Sequence, residues 1–136
     1  MDAAHTGTGH GLVLVIDDEE TSQTIARMAL EQIGFTNIVV VDGGAAGLQV
    51  LDWLKQPPAF VICDIFMPDA DGIELVNALA ARHFKGGLVL VTGGDSQYLV
   101  IAKRIARFHG LKLLGSMHKP ITSVDLQRVL FGQAQD

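Results

Sequence analysis

Leu12-Val13-Leu14-Val15-Ile16, Phe60-Val61-Ile62-Cys63 and Leu88-Val89-Leu90-Val91 are unbroken apolar runs of strand length. They give way at once to Asp17-Asp18, Asp64 and Thr92. A fourth run, Leu113-Leu114-Gly115-Ser116-Met117-His118, ends in Lys119-Pro120. Strands buried on both faces of a parallel sheet read as near-continuous apolar runs. In an open sheet of that kind ligands bind beyond the carboxyl ends of the strands. If the four runs lie side by side, three carboxylates, a hydroxyl and an ammonium converge on one edge. That set suits a divalent cation and a phosphoryl group.

Helix signals fill the gaps between the runs. After Leu12–Ile16, Glu20-Thr21-Ser22 offer polar groups for a helix start. Ile25, Met28, Ala29 and Ile33 then form the i, i+3, i+4 stripe of a face packed on a sheet, and Gly34 can close it with a left-handed cap. Ile38–Val41 is a further short strand. Ala46, Leu48, Val50, Leu51 and Leu54 mark a second helix, stopped before Pro57-Pro58. Ile73, Val76, Leu79 and Ala80 mark a third, running to about Arg82. Asp95 or Ser96 can cap a fourth that reaches about Phe108, and the last spans Ser123–Phe131. Five βα units with short connections predict an α/β fold, a doubly wound (βα)5 five-stranded parallel sheet. The flavodoxin-like order 2-1-3-4-5 puts its switch point between strands one and three, which deliver Asp17, Asp18 and Asp64.

Composition narrows the function classes. The chain has 136 residues, room for one domain with its own core. Residues 11–131 are expected to form it, with 1–10 and 132–136 as tails. A net charge of −5 without clustered basic residues argues against a nucleic-acid surface. No apolar stretch has membrane-spanning length, and Met1–His10 hold no apolar signal core. The single cysteine, Cys63, excludes an internal disulfide and fits a reducing, cytoplasmic setting. It reads as a buried small hydrophobe without a redox role. His5, His10, His83, His109 and His118 lack metal-ligand spacing and read as surface or tail. Gly7-Thr8-Gly9-His10-Gly11 looks like a phosphate loop but precedes its strand instead of following it.

Asp17-Asp18, the segment Asp64-Ile65-Phe66-Met67-Pro68-Asp69-Ala70-Asp71-Gly72, Thr92 with Gly93, and Lys119-Pro120 together resemble the receiver domain of bacterial two-component response regulators. The resemblance covers about residues 11–131. It implies that Asp64 accepts a phosphoryl group from a sensor histidine kinase or a histidine phosphotransfer protein. It further implies that Asp18, Asp64 and the backbone carbonyl of Phe66 bind Mg²⁺, with Asp17 contacting the ion directly or through water. Thr92 and Lys119 would each hold a phosphoryl oxygen, and Pro120 would follow a cis peptide. Such a domain signals and is not a conventional enzyme. The family uses the 96–108 helix, strand five and the last helix for partners. Leu99 or Val100 would then serve a dimer or output interface, although a broad core-facing stripe explains them nearly as well.

Elementary electrostatics agrees with those roles. Clustered carboxylates repel one another unless a cation intervenes, and hard oxygen ligands suit Mg²⁺. Crowding also predicts that Asp17→Asn or Asp18→Asn raises the melting temperature without metal. Glu19 and Glu20 read as ordinary acids at a helix start, favoured by the macrodipole. Asp69 and Asp71 read as turn or cap residues.

One departure concerns the switch. Family members usually carry Tyr or Phe three residues before the lysine, and here that position is Ser116. The segment Gly110-Leu111-Lys112-Leu113-Leu114-Gly115 is similar to receivers attached to cyclic-dinucleotide phosphodiesterase modules. Two other function classes stand beside the receiver. A Mg²⁺-dependent aspartyl-phosphate phosphatase of the haloacid dehalogenase type needs a second Asp at position 66, where this chain has Phe. A pseudo-receiver that binds partners without phosphorylation has no need of the complete acid, Thr and Lys set.

Overall fold

The computed structural model describes residues 11–67, 72–94 and 97–132. Strands β1 (Leu12–Ile16), β2 (Asn37–Val41), β3 (Phe60–Asp64), β4 (Gly87–Thr92) and β5 (Lys112–His118) alternate with five helices. The helices are α1 (Glu20–Ile33), α2 (Gly44–Trp53), α3 (Gly72–Ala81), α4 (Gln97–Phe108) and α5 (Ser123–Phe131). All strand pairs are parallel, in the order β2-β1-β3-β4-β5 expected from the sequence.

Alternation along each strand builds two cores, one on each face of the sheet. Val13, Val15, Ile62, Val89 and Val91 face α1 and α5, where Ala26, Ala29, Leu30, Leu126 and Leu130 meet them. Leu14, Ile16, Val61, Cys63, Leu88 and Leu90 face the opposite way, toward Leu75, Val76 and Leu79 of α3 and Leu99, Ala102 and Ala106 of α4. Leu48, Val50 and Leu51 of α2 pack against the same layer. The central strands are therefore sealed on both faces, which fixes how their carboxyl ends align.

Several helical faces differ from the sequence reading. The buried residues of α1 are Ala26, Ala29 and Leu30, while Met28 is 57% exposed. The stripe is rotated because Leu30 and not Met28 meets the sheet. Leu75, absent from the expected face of α3, is fully buried, and Ile73 is only partly so. In α4, Leu99 belongs to the core, so it cannot serve an interface, whereas Val100, Ile101 and Phe108 are exposed. Strand ends extend the expected limits by a residue or so, as end fraying allows.

Two glycines shape connections, Gly34 at the far end of the sheet and Gly72 beside the site. Gly34 closes α1 at φ 114°, and its N–H bonds Leu30 and Glu31 carbonyls, the left-handed cap that L side chains disfavour. A Cβ on Gly72 would lie 2.6 Å from the Cβ of Ile65, so only glycine lets α3 start where its N–H reaches the Ile65 carbonyl. That closure pins the backbone just beyond Asp64. Of the expected tails only Gly132 is described, and it closes α5 as a left-handed cap; the rest, the Asp69 and Asp71 turn and the Asp95 or Ser96 cap lie outside the described residues. His83, His109 and His118 are exposed, as expected.

Candidate functional site

β1 and β3 are neighbours, so Asp17, Asp18 and Asp64 meet at one edge of the sheet. One carboxylate oxygen of each lies within 4.8 Å of the others. Asp64 is 4% exposed, and Asp17 is as deeply buried, while Asp18 is open to solvent. Local backbone groups hold the two buried acids. Asp17 Oδ1 accepts the Glu19 N–H at 2.9 Å, and Asp64 Oδ1 accepts the Phe66 N–H at 3.0 Å. Gln23 Nε2 donates to the Asp17 carbonyl at 2.7 Å.

Lys119 enters the same cluster from the end of β5. Its N–H donates to the Thr92 carbonyl at 2.9 Å, and the Lys119–Pro120 peptide is cis. An ammonium has three N–H donors, and three carboxylates surround this one. They are Asp64 Oδ2 at 2.9 Å, Glu19 Oε1 at 3.0 Å and Asp17 Oδ2 at 3.1 Å. Burial alone would lower the Lys119 pKa. The hydrogen bonds to Asp64, Glu19 and Asp17 outweigh it and lift the group well above the usual lysine range.

Asp17 does not share the benefit equally. Burial raises its pKa above the ordinary carboxylate value, and the nearby Asp64 charge adds to that. The Glu19 N–H and Lys119 only partly offset the rise. Asp17, Asp18, Glu19 and Asp64 thus gather around one ammonium, which leaves the cluster with an excess of negative charge. Burial likewise pushes the Cys63 thiol far up, with Asp64 and Asp17 adding to the effect, so Cys63 is no thiolate nucleophile.

Glu19 has a larger part than a helix-start acid. Its Oε1 accepts from both Lys119 Nζ and Ser22 Oγ, the latter at 2.9 Å, and those donors hold its pKa below the usual range. No local spacing signals a partner so distant in sequence, although Ser22 one turn on was legible as a neighbour. Glu20 remains the acid of the first turn of α1.

A cavity of about 390 Å³ opens over the cluster, lined by Asp18, Asp64, Phe66, Gly93, Gly94 and Lys119. Thr92 stands at the end of β4, beside β3, but is fully buried. Its Oγ1 accepts the Gly94 N–H at 3.2 Å, so the hydroxyl lies beneath the Gly93-Gly94 turn. Ser116 lies apart from the acids, on a cavity of about 420 Å³ between β5 and α5 shared with His118, Asp125 and Arg128.

The response regulator receiver domain family model matches residues 13–130. The chain belongs to this family. Among curated proteins, the probable C4-dicarboxylate response regulator DctR of Priestia megaterium is 24% identical over 91% of this chain and 63% of its own length. The probable chemotaxis protein CheY of Rhizobium etli is 32% identical over 65% of this chain and 68% of its own. The receiver thus spans less than two thirds of DctR, and 35% of the Bacillus subtilis regulator PhoP. Among solved structures, a response regulator from Colwellia psychrerythraea superposes with a TM-score of 0.73 at 31% identity, covering 90% of this chain and 95% of that one. The receiver domain of a diguanylate cyclase from Desulfovibrio desulfuricans gives 0.71 at 25% identity, covering 88% and 89%. Among the described residues, no helix of this receiver is long and apolar enough to cross a membrane.

The excess of negative charge leads to a test on Asp18. Asp18→Asn should raise the melting temperature of the metal-free receiver by about 2–4 °C, because an exposed like charge is removed. The same substitution should weaken Mg²⁺ binding on the order of tenfold, since hard cations depend on carboxylate oxygen. Thermal melts and a metal titration read both effects. A fall in melting temperature would mean that Asp18 is structurally paired, and unaltered affinity would remove it from the ligand set that the resemblance implies. Asp17→Asn should also stabilise, because the raised pKa shows burial outweighing its bond to Lys119.

Proposed function

We propose that this receiver accepts a phosphoryl group on Asp64 from a sensor histidine kinase or a histidine phosphotransfer protein, in a Mg²⁺-dependent reaction. The observation that carries the reading is Lys119 bonded to a buried Asp64 within the three-carboxylate cluster. Asp17, Asp18, Asp64 and the Phe66 backbone carbonyl would hold the ion. When bound, Mg²⁺ would supply positive charge to neutralise the negative charge on the phosphoryl oxygens.

The chain's own groups do the rest. The Phe66 N–H and the Lys119 ammonium orient the Asp64 carboxylate. An Asp64 oxygen bonds phosphorus as the phosphorus–nitrogen bond of the phosphohistidine breaks, its electron pair returning to the imidazole. Lys119, already beside that oxygen, turns one N–H to a phosphoryl oxygen. Little covalent chemistry is asked of the protein; positioning and charge neutralisation dominate. The domain would catalyse only its own phosphorylation and dephosphorylation.

Incubation with Mg²⁺ and acetyl phosphate, followed by intact mass, tests the reading. A Mg²⁺-dependent gain of one phosphoryl group is expected. No gain would favour the pseudo-receiver, and steady release of inorganic phosphate from an unrelated monoester would favour the phosphatase.

The switch would run through the Gly93-Gly94 turn. Phosphorylation brings nearly two negative charges and three acceptor oxygens. For Thr92 to donate to one of them, the turn above its hydroxyl must rearrange, and glycines permit that. The turn leads toward α4. Hydrogen exchange on the Mg²⁺ and beryllofluoride-bound forms should therefore differ most across residues 92–99. Changes confined to Ser116 and α5 would contradict this route. Output or homodimer contacts would use the exposed residues of α4, Val100 and Ile101 among them, together with β5. A cytoplasmic setting fits the single buried Cys63, and attachment to cyclic-dinucleotide phosphodiesterase output fits the wording of residues 110–115.

A further inference from the structure

Phe66 stands two residues beyond Asp64, with its N–H on Asp64 Oδ1 and its side chain on the acceptor cavity. Its ring meets Tyr98, in the first turn of α4, edge to face, with centroids 5.6 Å apart and planes at 86°. Across the cavity mouth stands Gly94, where a Cβ would still be 3.8 Å from Phe66 Cε2. Gly93 and Gly94 place no side chain there, so among the described residues Phe66 is the one aromatic side chain that lines the cavity. Tyr98 is 47% exposed, which makes it a brace on the outer side of Phe66 and not a core residue.

We propose that Tyr98 is a positioning residue that holds the Phe66 ring against the acceptor cavity and so slows hydrolysis of the aspartyl phosphate. The inference rests on Asp64 being the phosphoacceptor. In hydrolysis a water oxygen bonds phosphorus, and the phosphorus–oxygen bond to Asp64 breaks. The electron pair returns to the Asp64 carboxylate, and the proton of the water leaves with the phosphate or to solvent. Water must reach phosphorus past the residues that line the cavity. A braced ring narrows that path, and a ring free to turn outward opens it.

The test follows loss of the phosphoryl mass after labelling with acetyl phosphate and Mg²⁺ and removal of the donor. Tyr98→Leu and Phe66→Leu should each shorten the phosphoryl half-life roughly 2- to 10-fold, the range that losing one edge-to-face pair allows. The double variant should decay no faster than the faster single one, because both remove the same contact. Tyr98→Phe, which keeps the ring, should restore the wild-type half-life. Tyr98 is the only tyrosine of the chain, so its ring signals in a tyrosine-labelled NMR spectrum should also move in Phe66→Leu. A wild-type half-life in Tyr98→Leu, fully multiplicative effects in the double variant, or unmoved tyrosine signals would each overturn the proposal. Failure of the wild-type protein to label at all would instead overturn the phosphoacceptor reading beneath it.

Discussion

Asp64→Asn is expected to reduce Mg²⁺-dependent labelling by acetyl phosphate to background. An amide is a poor nucleophile toward phosphorus, and its neutral oxygen is a weaker ligand for a hard cation. Asn has nearly the volume of Asp and can still accept the Phe66 N–H, so the fold should persist. The variant also removes one carboxylate from an overcrowded cluster, and its metal-free melting temperature should not fall. Intact mass after incubation, beside a thermal melt, reads both effects. Unchanged labelling in a folded Asp64→Asn protein would move the acceptor elsewhere.

Lys119→Ala is expected to have the largest effect on stability. The ammonium is the charge against which Asp17, Glu19 and Asp64 are arranged, and Asp17 and Asp64 are buried. Removing one partner of a buried pair costs far more than the pair itself contributes. Lys119 keeps 15% of its side chain in solvent, and Asp17 can take up a proton, so the full penalty does not apply. A loss of about 2 kcal/mol, or roughly 6–10 °C in melting temperature, is expected without metal. Added Mg²⁺ should then stabilise the variant more than the wild type, since the ion replaces the missing charge and no longer meets an ammonium. Thermal melts with and without Mg²⁺ check both parts. An unchanged metal-free melting temperature would show that Lys119 does not neutralise the cluster.

The strands were legible because each is a short apolar run with a polar residue at its end, and burial on both faces demands that pattern. Right-handed crossovers only narrowed their order to a few; the flavodoxin-like order was chosen among them, and it brings Asp17 and Asp64 to one edge, as the sheet does. Helix faces were less legible. The stripe Ile25, Met28, Ala29 and Ile33 left out Leu30, because spacing alone does not fix which apolar residues of a helix meet the sheet. Tertiary packing chose Leu30. Leu99 and Val100 present the same difficulty, because adjacent apolar residues on a helix point in different directions. At the site, motif residues were readable by type and spacing, whereas the grip of Glu19 on Lys119 was not. It joins residues from opposite ends of the chain through side chains whose reach no local pattern encodes. The burial of Thr92 beneath Gly94 was equally invisible, since sequence shows a hydroxyl at a strand end but not whether the following turn covers it.

Trapping of the acyl phosphate tests the central claim most directly. Borohydride reduces an aspartyl phosphate to homoserine, which leaves a permanent mark at the phosphorylated residue. After brief exposure of the full chain to acetyl phosphate and Mg²⁺, reduction and peptide mass spectrometry should find homoserine at position 64, and none when Mg²⁺ is withheld. Homoserine at position 17 or 18, or a phosphoryl mass that resists borohydride and maps to a histidine such as His118, would contradict Asp64 as the phosphoacceptor.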